Sequence, residues 1–194
     1  MDTAEYIVGY GSLLNAYSRQ TYSGLHAPII PVMAAGWQRG WTTRYGDEAA
    51  TYLGVRPAST SVLSAALVPT RVTDEIRHRE RGYDFVPVAP ETVSLLNPDT
   101  LELGDARLWI VVNREQLHAD SDHPIPQSYI DTCLLGCLET GGREMAQHFI
   151  ASTERWDGHR INDRDWPTPL YPRGAPATAA QRDEIDALLR TAGV

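Results

Sequence analysis

The sequence predicts an α+β fold, a small mixed, barrel-like β-sheet with peripheral helices, and three observations lead there. Short β-branched and aromatic runs separated by turn residues fill the first two-thirds of the chain. After Pro124 and Pro126 the apolar residues recur at helical spacing instead. The length of 194 residues and a hydrophobic content of 42% suffice for one full core, whereas two cores would each be small. A single domain over 1–194 is therefore expected. Its core would span about 5–140, followed by a helical and proline-rich extension over about 141–194.

Strands are expected in "YIVGY", "PIIPVMAAG", "TYLGVRPA", "VLSAALVPT", "YDFVPVAP", "ETVSLL" and "ARLWIVVN", each of strand length and bounded by turn residues. Between the fourth and fifth, Thr73 or Asp74 can cap a short helix that runs to about Arg81, where Gly82 ends it. Beyond Pro126, "SYIDTCLLGCLE", "GREMAQHFIASTERW" and "ATAAQRDEIDALLRTA" read as helices. Ile130, Cys133, Leu134, Cys137 and Leu138 lie on one face of the first, and Ile185, Leu188 and Leu189 on one face of the last.

Charge narrows the partners. A net charge of -8 opposes attraction to phosphate backbones and anionic lipid, so neither nucleic acid nor membrane is an expected partner. All 17 basic residues are arginine, which removes Schiff-base lysine chemistry and the P-loop lysine. Cys133 and Cys137, four apart on one helix, are poorly placed for a disulfide and read as buried apolar residues. No charged stretch precedes an apolar one at the N-terminus, and no run approaches about 18 apolar residues, so a cytoplasmic location is expected.

The opening stretch "EYIVGYGSLLN" breaks a strand at Gly9-Tyr10-Gly11-Ser12. Glycines there let a ligand approach the main chain, and bare N–H groups can hold an oxyanion. The same residues also fit an ordinary strand-to-loop turn. A dinucleotide fingerprint and a nucleophile elbow both fail, because Ser12-Leu13-Leu14 follow where a third glycine or G-x-S-x-G is required. His118, Asp120, Asp122 and His123 gather in "LHADSDHP" without a specific metal spacing, and a solvated loop explains them as well. Glu80, between Arg79 and Arg81, by composition alone sits on a solvated helix end with weak ion pairs.

The combination "YGSL", "GWQRGW", "YLGVRP", "RERGYDFVPV" and "PQSYIDTCLLG", in this order from about residue 5 to residue 137, resembles the gamma-glutamylcyclotransferase family. The resemblance implies a cofactor-independent enzyme that holds no metal and takes a small-molecule gamma-glutamyl substrate, releasing 5-oxoproline and a free amine. It places Glu80 as the proton-handling glutamate. Tyr10, Gly11, Ser12 and Leu13 fall on the substrate loop, and Tyr83 and Tyr129 on the pocket lining. A monomer or homodimer is expected. The chain departs from the pattern at "DEIRHRE", where relatives carry leucine and aspartate, and in its tail. A noncatalytic binding module of the same fold and, more remotely, a metal-dependent hydrolase using the histidine-aspartate loop are the alternatives. The tail "ERWDGHRINDRDWPTPLYPR" brings Trp156, Trp166 and Tyr171 among arginines and aspartates, a composition suited either to covering the pocket and reading the leaving amine or to packing and a dimer contact.

Overall fold

A computed structural model describes residues 3–46, 48–73, 82–97 and 102–194. The sheet begins with β1 (Glu5–Gly9), β2 (Ile30–Thr43) and β3 (Tyr52–Pro69). It continues with β4 (Tyr83–Val88), β5 (Val93–Leu95) and β6 (Arg107–Asn113) in the order β4-β6-β1-β3-β2-β5, and a short seventh strand, Thr153–Glu154, pairs with β2 off this path. Most neighbours are antiparallel, but β1 runs parallel to β6, so the sheet is mixed as expected. Among the described residues no ladder joins the edge strands β4 and β5, so the barrel-like sheet stays open.

The barrel-like character arises from packing instead. Tyr6 and Val8, Val32 and Ala34, Leu63, Ala65 and Leu67, and Leu108 and Ile110 alternate along their strands and pack into one core with Val88 and Val93. All six strands of that order contribute to it, so the sheet curls far enough to bury one face against itself. The long hairpin of β2 and β3 supplies the bend through a register shift between Ala35 and Trp37, opposite Pro57. Proline, which donates no ladder bond, fits at such an irregularity. The two expected strands over 51–58 and 62–70 are thereby one continuous strand.

A second core covers the other side. It joins Leu14, Trp41, Tyr52 and Leu53 to two helices, α2 (Gln127–Ala151) and α3 (Ala179–Ala192). Cys133 and Cys137 are buried there as free thiols, and burial pushes the Cys137 thiol up to about 12, so neither is a thiolate at neutral pH. The two helices expected over residues 128–156 are both present and meet end to end in α2 across a kink at Gly142 (φ 70°), a conformation glycine adopts without penalty. This element stops at Ala151 rather than near Trp156, because Thr153–Glu154 form a short strand parallel to β2. α3 carries a full capping box between Thr178 and Gln181 and ends at Gly193 in the left-handed region.

One helix was not expected. α1 (Ala16–Ser23) follows the first strand and its loop, capped by the Asn15 side chain, which accepts from the Ser18 amide at 2.9 Å. The short helix expected from Thr73 or Asp74 to Arg81 lies outside the described residues. No helix among those described is long and apolar enough to cross a membrane.

Candidate functional site

The loop after β1 is held in place by the two elements that flank it. Gly11 starts a single 3-10 turn over Ser12–Leu14 that no side chain caps. The amides of Gly11, Ser12 and Leu13 have no acceptor among the described residues. Arg19 of α1 donates to the carbonyls of Leu13 (2.9 Å) and Leu14 (3.3 Å). From α2, Thr140 donates to the Leu14 carbonyl, and Glu139 accepts from the Ala16 amide and the Asn15 side chain. Gly136 makes this approach feasible, since a Cβ there would stand 2.6 Å from the Leu14 carbonyl carbon.

Arg39 fixes the loop from below. It is fully buried, and its guanidinium donates to the carbonyls of Tyr10, Ser64 and Phe149 and to Thr153 Oγ1 while lying 3.6 Å over the Phe149 ring. Burial lowers its pKa to about 10, yet it remains a cation at neutral pH, satisfied by carbonyl dipoles. Tyr10 is held at both ends, because its hydroxyl also donates to the Val111 carbonyl at 2.7 Å.

The loop opens on a cavity of about 390 Å³, lined by all of Tyr10, Gly11, Ser12 and Leu13 and by Tyr83 and Tyr129. The structure thus brings together six of the residues singled out in the sequence. Glu80 lies outside the described residues, three positions before Tyr83. Thr70 and Phe85 also line the cavity.

Seven of the nine tyrosines line this cavity. Tyr129, from the first turn of α2, sits between Tyr52 and Tyr171 with ring centroids 5.0 and 4.6 Å away, and Trp41 closes the cluster behind it. Burial pushes the phenol of Tyr129 well above its ordinary value. It also raises Tyr52, aided by a hydrogen bond to Glu48, and Tyr171. These phenols stay protonated at neutral pH, so they serve as hydrogen-bonding and apolar wall rather than as bases.

Close packing sets a limit at Gly11, where an added Cβ would stand 2.8 Å from the Tyr129 hydroxyl. Gly11→Val is therefore expected to cost about 1–3 kcal/mol in stability by overpacking and to abolish ligand binding in the cavity. Ser12→Ala keeps every backbone N–H and is expected to bind within a few-fold of the parent. Calorimetric titration and a thermal melt of both variants check this pair; a stronger loss in Ser12→Ala than in Gly11→Val would contradict it.

The tail divides between core and site. Trp156 packs on Trp41 at 5.1 Å and donates to the Ile150 carbonyl, and Trp166 is exposed. Neither lines the cavity, so of the two roles the composition allowed, covering it does not fall to these two residues. Tyr171 and Arg173 do line it. Arg173 and Tyr52 were not among the site residues inferred from the sequence. Tyr171 carried the one usable signal, an aromatic residue in a proline-rich segment.

The residues of the histidine-aspartate loop do not line the cavity. Asp120 accepts from Arg44 at 2.6 Å and from the amides of Asp122 and His123, and the Arg44 hydrogen bond leads in lowering its carboxyl to about 2. His118 Nδ1 faces Arg155 at 2.7 Å. Among the described residues no group of three or more histidine, cysteine, aspartate or glutamate side chains could hold a metal ion.

No family model matches the sequence, and no curated protein matches it. Solved structures do. A structure described as a gamma-glutamyl cyclotransferase superposes with a TM-score of 0.56 at 12% identity, covering 95% of this chain and 99% of that one. The fold is that of the gamma-glutamyl cyclotransferases. An uncharacterized protein from Homo sapiens shares this cyclotransferase fold with a TM-score of 0.52 at 12% identity, covering 95% of this chain and 99% of that one. YkqA from Bacillus subtilis follows at 0.51 and 15% identity, with 75% of this chain covered. The match takes in only 52% of YkqA, so the cyclotransferase fold here accounts for about half of that longer protein.

Proposed function

We propose that the protein is a cyclotransferase that converts a gamma-glutamyl amine or peptide to 5-oxoproline and a free amine. The observation that carries this reading is the convergence of the Tyr10–Leu13 loop, with its open backbone N–H groups, and the Tyr83 and Tyr129 side chains on one cavity in a cyclotransferase fold.

In this reaction the substrate supplies its own nucleophile. The alpha-amine attacks the gamma-carbonyl carbon, a five-membered ring closes, and the bond to the leaving nitrogen breaks. No water and no covalent enzyme intermediate enter. Tethering gives effective molarities up to about 10⁵–10⁸ M once the chain is held in a ring-closing conformation. The enclosed aromatic wall around Tyr52, Tyr129 and Tyr171 suits that task.

Proton transfer remains. The alpha-ammonium must lose a proton before it attacks, and the leaving nitrogen must gain one. A single carboxylate can carry that proton from one to the other, a contribution of about 10²–10⁴-fold. The role is assigned to Glu80 on the resemblance of "RERGYD" to the family motif. The amides of Gly11, Ser12 and Leu13 are suited to the oxyanion that develops on the gamma-carbonyl, where one donor is worth about 3–4 kcal/mol.

Incubation of the purified protein with a panel of gamma-glutamyl compounds, with mass-spectrometric detection of 5-oxoproline, tests the proposal. At least one member is expected to yield stoichiometric 5-oxoproline and amine. Saturable binding across the panel with no product would favour the noncatalytic binding module.

A further inference from the structure

The segment between the short strand Arg160–Ile161 and α3 is clamped at both ends onto α2. At one end the Leu170 amide donates to Asp163 at 2.8 Å. The fully buried Asp163 carboxylate also accepts from the Ser128 amide at 2.8 Å and the Ser128 hydroxyl at 2.6 Å. At the other end the Ala175 amide donates to Thr132 Oγ1 at 3.0 Å, and that hydroxyl donates to the Ser128 carbonyl. Between the clamps the Gly174 amide closes on the Tyr171 carbonyl, which turns Tyr171 into the cavity wall and leaves Arg173 beside it.

Arg173 is the one charged side chain among the described residues that line the cavity; the others are glycines, hydroxyls, phenols and apolar groups. Among the described residues six other arginines pair with carboxylates: Arg44, Arg56, Arg114, Arg143, Arg164 and Arg182. Arg173 has no such partner among the described residues, and its guanidinium carbon lies 5.5 Å from the centre of the Tyr171 ring. It is exposed and lines the cavity, so it can reach a ligand without first breaking an ion pair.

We propose that Arg173 is the specificity residue of this cavity and pairs with a carboxylate on the amine side of a gamma-glutamyl compound. This rests on the function proposed above. The loop at Tyr10–Leu13 takes the glutamyl part in that reading, which leaves the solvent-facing guanidinium for the departing part. A guanidinium and a carboxylate form a charge-assisted, often bidentate pair, whereas a polyamine in the same place meets like charge. The clamped turn is thus the device that carries selectivity for the leaving group.

Binding and turnover separate the two claims. Glutaryl-alanine lacks the alpha-amine and so does not cyclise, and glutaryl-alaninamide differs from it only in the amine-side carboxylate. Titration calorimetry of the full chain is expected to show at least about tenfold tighter binding of glutaryl-alanine, equivalent to about 1.4 kcal/mol. In Arg173→Met that ratio is expected to fall to near one, and Arg173→Lys to retain part of it, with unchanged melting temperatures. A ratio that persists in Arg173→Met, whether or not both ligands weaken, overturns the inference, as does failure of the parent protein to bind either. If the ratio collapses as expected but gamma-glutamyl-alanine yields no 5-oxoproline, the cyclotransferase reading fails while the role of Arg173 stands.

Discussion

Glu80→Gln is expected to lower 5-oxoproline formation by at least about 10²-fold with the fold intact, since the near-isosteric amide accepts no proton from the alpha-ammonium and has none to return to the leaving nitrogen. The other contributions, a held ring-closing conformation and loop amides at the oxyanion, survive in this variant. Residual turnover well above the uncatalysed rate is therefore expected as well. A rate assay paired with circular dichroism reads both. Turnover near that of the parent would remove Glu80 from the chemistry, and a collapse of the spectrum would make it a structural residue instead.

The largest effect on stability is expected at Arg164. Its guanidinium spans two carboxylates: Nε and Nη2 reach Asp131 at 2.7 and 2.8 Å, and Nη2 and Nη1 reach Asp186 at 2.7 and 3.0 Å. Asp131 is 3% exposed and, among the described residues, keeps only the Gln127 side-chain amide, at 2.9 Å, once the arginine is gone. Removing one partner of a buried pair leaves an uncompensated charge, at about 3–5 kcal/mol. Arg164→Ala is therefore expected to lower the melting temperature by about 10 °C or more for a chain of this size. Asp131→Asn in the same background should recover part of the loss, because the amide needs no counter-charge. Equal melting of Arg164→Ala and the parent would show that tail and helix are held by packing alone.

Much of the sheet is legible in the sequence because its strands alternate. Tyr6 and Val8, or Leu63, Ala65 and Leu67, face one core with period two, and that pattern is local. α2 and α3 are legible for the same reason at the helical period. α1 is not: "AYSRQTYS" has no apolar stripe, and the residues it buries are Ser18 and Arg19. Its only local marks are the caps, Asn15 at one end and Gly24 in the left-handed region at the other. The long β3 reads as two strands because Pro57 and the polar residues after it look like a break, whereas they form a bulge within one strand, with Ala58 to Ser61 set between the pairs Trp37–Pro57 and Ala35–Val62.

The site was legible at the loop and on α2, where Tyr10 to Leu13 and Tyr129 belong to quoted motifs. Its far wall was not. Tyr171 and Arg173 are held at the cavity by long-range pairs such as Asp163 with Ser128, 35 residues apart, and Ala175 with Thr132, 43 apart. Pairings at such separations leave no periodicity. Trp166 shows the converse, an aromatic residue of the same segment that is exposed and does not line the cavity.

The most direct test of intramolecular ring closure is to run the reaction on a productive gamma-glutamyl substrate in water enriched in ¹⁸O. Attack by the alpha-amine yields 5-oxoproline whose ring carbonyl keeps the substrate's oxygen, so no label is expected in either product. Glutamate carrying one ¹⁸O in its gamma-carboxylate, in place of 5-oxoproline, would mean that water is the nucleophile and would contradict the account.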